Sequence, residues 1–110
     1  MAASKGDKWS IYLIEAENGS LYTGITTDPE RRFSEHRGQK KGAKFFRSSA
    51  FRAVRMRVDG FARSEALKIE YRLKRLPRAE KIEMIATATR SKLRALLKER
   101  GPRKKKEPSP

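Results

Sequence analysis

The apolar positions change period along the chain, and each period predicts a different element. Trp9 to Ala16 reads Trp-Ser-Ile-Tyr-Leu-Ile-Glu-Ala, a run rich in β-formers that predicts a strand. Asn18-Gly19 separates it from a second such run, Leu21 to Thr26. Asn-Gly between two apolar runs is a strong hairpin signal, because a two-residue turn needs positive φ at both positions. In that geometry Tyr12 falls opposite Ile25, and Tyr22 nears Tyr12 only on the diagonal.

Asp28-Pro29-Glu30 then predicts a helix start: Asp28 caps, Pro29 suits the first helical position and Glu30 complements the dipole. This helix runs to about Arg37 and stops near Gly38, before a loop rich in Lys, Arg and Gly. From Phe51 to Val58 the chain alternates again. Phe51, Ala53, Val54, Met56 and Val58 point inward, Arg52, Arg55 and Arg57 outward, and the irregularity at Ala53-Val54 predicts a bulge. Ser64 is the expected cap of a second helix, from about Glu65 to Arg75, on which Ala66, Ile69, Leu73 and Leu76 make one stripe. Pro77 ends it, and residues 78–86 and 90–99 predict two more short helices.

The order β-β-α-β-α-α-α predicts an α/β (α+β) fold, a small three-stranded, mostly antiparallel sheet flanked by helices. One domain is expected over residues 9–100, after a flexible start at residues 1–8. Residues 101–110 form a Lys/Pro tail without an apolar side chain, which predicts disorder.

Charge narrows the function classes. The 110 residues carry 28 Lys plus Arg against 13 Asp plus Glu, a formal charge of +15. Such a surface calls for a polyanionic partner, and nucleic acid leads. No stretch approaches the roughly 18 apolar residues of a spanning helix, so no membrane partner is expected. Cysteine is absent, which excludes disulfides and thiolate metal sites. The N-terminus lacks the apolar stretch of a signal peptide, and a cytoplasmic location is expected.

Three groups of residues ask for more than a folding explanation. Tyr12 and Tyr22 stand on the paired strands; ordinary strand aromatics would look the same. Arg32 and the single histidine, His36, are four apart and share a helix face. By themselves they read first as a solvated face. Glu70 lies only about 40–60° around its helix from Ala66 and Leu73, so it borders the buried stripe. A carboxylate there needs a partner or a metal. Lys68, Arg72 or Lys74 would serve as a purely structural partner.

Together these residues resemble the GIY-YIG endonuclease family, and in particular its short stand-alone bacterial members. Ser10-Ile11-Tyr12 stands where the family has Gly-Ile-Tyr, and Tyr22-Thr23-Gly24 where it has Tyr-Ile-Gly. Arg32 and His36 follow Tyr22 by ten and fourteen residues, as the family's helix arginine and its histidine or tyrosine do. Glu65 to Glu70 resembles the segment whose later glutamate binds metal, and Pro77 to Ile85 the continuation in the short members. The likeness covers roughly residues 9–86. Ser10, Thr23 and the lack of an asparagine between Leu76 and Ile82 depart from the common pattern.

The resemblance implies a metal-dependent endonuclease that hydrolyses phosphodiester bonds, with DNA favoured over RNA and a place in DNA repair or recombination. It implies one Mg²⁺ (or Mn²⁺) on Glu70 and catalytic roles for Tyr12, Tyr22, Arg32, His36 and Glu70. Tyr12 is expected to orient or deprotonate the water, its pKa lowered by Arg32 and the metal. Substrate contacts are expected from Gly24, Arg31, Arg37, Lys40, Lys41, Lys44 and Arg47. The segment Arg31–Arg57 carries the basic ones, with Arg32, Arg52, Arg55 and Arg57, against Glu35 alone, a backbone-binding surface. Phe45 and Phe46 within it read as core packing before base stacking. The competing reading is a basic module that holds DNA or RNA without cutting it. A further one is an RNA-associated chaperone acting through the tail.

Overall fold

A computed structural model describes residues 7–38 and 49–98. Strands β1 (Trp9–Ala16) and β2 (Leu21–Thr26) precede helix α1 (Pro29–Gly38) and strand β3 (Phe51–Phe61). Helices α2 (Arg63–Lys74), α3 (Arg78–Thr87) and α4 (Arg90–Ala95) follow, and Leu96–Lys98 closes as a 3₁₀ turn. Lys40, Lys41, Lys44, Phe45, Phe46, Arg47 and the basic tail lie outside the described residues. The predicted element order and α/β class hold, and the sheet is antiparallel throughout, in the order β2-β1-β3.

Strand β1 is central and covered on both faces, which is why Ser10 to Ile14 are buried without a break. Ile11 and Leu13 face the larger core, with Met56, Phe61, Ala66, Ile69, Leu73, Met84 and Leu93. Tyr12, Ile14 and Ala16 face the opposite way, onto Phe33 of α1. The helices therefore sandwich the sheet, with α1 on the tyrosine side. Leu76, just past α2, also packs into the larger core, so the whole predicted stripe is buried.

The hairpin corrects the expected register. Tyr12 pairs with Gly24, not Ile25, and Tyr22 pairs with Ile14. The reason is the turn. The Gly19 N–H donates to the Ala16 carbonyl (2.8 Å) and the Ala16 N–H to the Ser20 carbonyl (2.9 Å), so three residues form the loop. Gly19 supplies the positive φ, 88°, while the Asn18 side chain accepts from the Ser20 N–H at 3.0 Å. The one-residue change leaves Tyr12 and Tyr22 on one face, on a diagonal.

Strand β3 is longer than predicted. Its register with β1 slips three times, skipping Gly60, Arg55 and Arg52, so the bulges flank Ala53-Val54 and do not fall on it. Gly60 takes φ 100°, and this lets Phe61 go on to pair with Trp9. Helix α2 starts at Arg63, earlier than expected. The cap position is Ala62, without a side-chain cap, and Ser64 sits inside the helix. At α1 the expected cap is present: the Arg31 N–H donates to Asp28 Oδ1 at 3.2 Å. Thr23, at the place of the family's isoleucine, is buried, and its hydroxyl finds no partner among the described residues.

Candidate active site

The site is built on the α1 side of the sheet. On α1 the residues Arg32, Phe33 and His36 fall within roughly 100° of arc at 100° per residue, so one helix face delivers all three. His36 and Phe33 are buried there, and Arg32 is half-buried. The Tyr12 hydroxyl lies 3.1 Å from His36 Nε2. Phe33 packs edge-on to the Tyr12 ring at 5.2 Å, and Tyr22 lies 6.2 Å from Tyr12 and 5.4 Å from His36, centroid to centroid. Phe33 was not expected in the site, although its place one residue after Arg32 on the inward face of α1 would have signalled it.

Gly24 has a specific task in this packing. A Cβ on Gly24 would overlap the Tyr12 hydroxyl and stand 2.5 Å from Cζ. The glycine leaves the space in which the phenol lies across β2, so its close approach is to Tyr12.

Burial decides the ionisation of the pair. It raises the Tyr12 pKa well above the ordinary value of 10, and the neighbouring Tyr22 adds to this. Arg32 hydrogen-bonds to the phenol and pulls the other way, but desolvation wins. The expected lowering of the Tyr12 pKa is thus reversed in the protein alone. Burial, aided by the Arg32 charge, lowers the His36 pKa to about 4, so the imidazole is neutral at pH 7. Burial also pulls on Arg32, but Glu35 and Tyr12 outweigh it and keep the guanidinium charged. Arg32 Nη1 donates to Glu35 Oε1 at 2.8 Å.

A stability effect follows. Between pH 6.5 and about 4 the unfolded chain protonates at histidine while folded His36 does not. Stability is therefore fully present above pH 6.5 and falls as pH drops through this window, by about 3 kcal/mol at most. Urea midpoints measured from pH 7 to 5 are expected to fall in wild type and to fall less in His36→Gln. Equal slopes would contradict the buried neutral imidazole. The carboxylates with lowered pKa (Glu15, Glu35, Asp59 and Glu65) titrate below the ordinary 4.5 of glutamate and do not blur the comparison.

Glu70 comes from α2, which packs on β2 as well as β1. Its side chain is half-buried at the border of the stripe, as the helical wheel predicts, and its charge reaches the Tyr12 phenol. Of the three cations considered as structural partners, Lys74 makes the ion pair, at 3.4 Å. No group of three or more His, Cys, Asp or Glu that could hold a metal occurs among the described residues. A single carboxylate suits Mg²⁺ or Mn²⁺ completed by phosphate oxygens and waters, and so the donor set fits that ion.

The basic surface is less bare than the order of residues suggests. Arg31 pairs with Glu35 at 3.2 Å, Arg55 with Glu15, and Arg57 with both Glu30 and Asp59. Glu15 comes from β1, and Glu30 and Asp59 stand just outside the two ends of the segment Arg31–Arg57, so counting along that segment omits three of these four carboxylates. Arg37 is exposed and stacks over Phe51 at 4.9 Å.

The pattern of the GIY-YIG catalytic domain matches residues 8–83. A UPF0213 protein of Cupriavidus pinatubonensis is 47% identical over 79 residues, 72% of this chain and 87% of that one. One from Cronobacter sakazakii is 41% identical over 80 residues, 73% of this chain and 83% of the relative. The solution NMR structure of the UPF0213 protein BH0048 from Bacillus halodurans aligns over 79% of this chain and 92% of that one, at 32% identity and TM-score 0.48. No helix of the described residues is long and apolar enough to cross a membrane. Matched over most of its length, the chain belongs to the GIY-YIG catalytic domain family.

Proposed function

We propose that the chain is a metal-dependent endonuclease that hydrolyses phosphodiester bonds, of DNA before RNA, in the repair or recombination of a bacterial cytoplasm. The observation that carries this reading is the Tyr12 hydroxyl held 3.1 Å from a buried, neutral His36, with Arg32 beside it. At pH 7 the phenol is protonated, so it cannot begin as a phenolate. It donates to His36 Nε2, accepts from Arg32 and keeps a lone pair for an incoming water. As the water attacks phosphorus, its proton passes to Tyr12 Oη while the phenol proton passes to Nε2, and imidazolium forms only at that moment. Arg32 holds phosphate oxygens, which its planar fork suits. Tyr22 packs against both partners and fixes their orientation. Glu70 would hold one Mg²⁺ or Mn²⁺, which supplies Lewis-acid polarisation and steadies the leaving oxygen when bound.

Arg31, Arg37 and the loop residues Lys40, Lys41, Lys44 and Arg47 would contact the backbone. Tyr12→Phe tests the relay. It keeps the ring over Gly24 and removes the hydroxyl, so cleavage is expected to fall about 10²–10⁴-fold with DNA affinity unchanged. A folded Tyr12→Phe protein that cuts at the wild-type rate would contradict the proposal. The Glu70–Lys74 ion pair favours a second reading, a module that binds nucleic acid without cutting.

A further inference from the structure

The outer face of α2 carries an aromatic side chain that neither the fold nor the proposed chemistry uses. Tyr71 is 59% exposed, directly after Glu70 in the chain. Arg75 lies over one face of its ring, 5.2 Å from the centroid. Going around α2 from the buried stripe, the order at 100° per residue is Glu70, Lys74, Leu67, Tyr71, Arg75. Leu67 is also exposed, at 40%. An exposed tyrosine braced by arginine, about 100° around the helix from a metal-ligand candidate, has no packing role to explain it.

Cations continue from this face onto α3. The Arg78 Nη1 donates to the Gly19 carbonyl at 2.7 Å, which anchors α3 to the hairpin turn. Lys81 is half-buried beside it, and burial first, then the charges of Arg78 and Lys74, lower its pKa. Lys74, Arg78 and Lys81 thus gather at one corner, where Glu70 answers Lys74 and the Gly19 carbonyl answers Arg78. None of the three belongs to the segment Arg31–Arg57.

We infer that the corner of α2 and α3 is a second nucleic-acid contact, in which Tyr71 stacks on an unpaired base and Lys74, Arg78 and Lys81 hold the adjoining phosphates. The inference rests on the nuclease reading of Glu70 for its place beside the cut. Its chemistry selects a substrate with unpaired nucleotides on that side, since a base inside a duplex has no free face to offer. Stacking is tolerant of sequence, so the selection is for structure.

Binding separates the alternatives. The full chain in the Glu70→Gln background is titrated onto fluorescent single-stranded, branched and duplex DNA, with and without Tyr71→Ala. Tyr71→Ala is expected to weaken single-stranded and branched DNA about tenfold or more and duplex less than about twofold. Tyr71→Trp is expected to restore the difference, and melting curves should coincide because the side chain is exposed. Arg78→Ala with Lys81→Ala is expected to weaken all three and to reduce the salt slope by about 1.8 on duplex. Equal losses on all substrates, or none, with Tyr71→Ala would overturn the inference. If wild type cuts nothing while the Tyr71→Ala difference holds, the nuclease reading falls and the contact stands. If wild type cuts and Tyr71→Ala binds as before, the contact falls alone.

Discussion

Glu70→Gln is expected to abolish cleavage while leaving DNA affinity equal to or tighter than wild type. The substitution keeps the shape and removes the charge that would hold the metal, along with its repulsion toward phosphate. A purely structural role cannot mimic this outcome. The only ion pair Glu70 shows among the described residues is with Lys74, four residues on, whose side chain is half-exposed. Such helix-surface pairs contribute about 0.3–0.5 kcal/mol, so the melting temperature should scarcely move. The loss of activity is expected to exceed the about 10–100-fold typical of residues that only orient a ligand. Folded Glu70→Gln protein that cuts as fast as wild type at saturating Mg²⁺ would exclude Glu70 as the metal ligand.

Gly24→Ala is the second large effect, and it acts through the phenol. Its methyl group would occupy the space of the Tyr12 hydroxyl. Either the ring moves or β2 does, and overpacking of this kind costs about 1–3 kcal/mol. Because the displaced atom is the one that meets the water, cleavage per folded molecule is expected to drop about a hundredfold. The paired readout is melting temperature and rate. A variant with unchanged stability and full activity would show that Tyr12 does not need its place over β2.

The elements were legible because each rests on local chemistry. The β-rich run at Trp9–Ala16, the Asp28-Pro29 start of α1 and the stripe Ala66, Ile69, Leu73, Leu76 all say where they are without tertiary help. Glu70 was legible for the same reason, since its position beside the stripe follows from helical angle alone. What failed depended on contacts between elements. The hairpin register turned on whether two or three residues form the loop, and Asn18-Gly19 serves either. The start of α2 depended on Phe61 reaching Trp9 past the Gly60 bulge, which no local pattern announces. Ser64 therefore looked like a cap and is not one.

The Tyr12 pKa failed for a related reason. The expected lowering rests on Arg32 and a bound metal, whereas in the protein alone the largest cause is burial between β2, Phe33 and His36. Burial of a polar residue on a central strand is a property of the layers above it. The same holds for the basic surface: Glu15 and Glu30 meet Arg55 and Arg57 only after folding. Gly24 was expected near the substrate because glycine admits close approach. In the structure the Tyr12 phenol is a group that comes this close to Gly24.

The central claim is hydrolysis of DNA by this pocket, and one assay meets it directly. Purified full-length chain is incubated with branched, single-stranded and duplex DNA, in Mg²⁺ and in EDTA, and the products are resolved on a denaturing gel. Internal cuts that appear with Mg²⁺ and vanish with EDTA are the predicted result. DNA that is bound but stays whole under every divalent metal would contradict it.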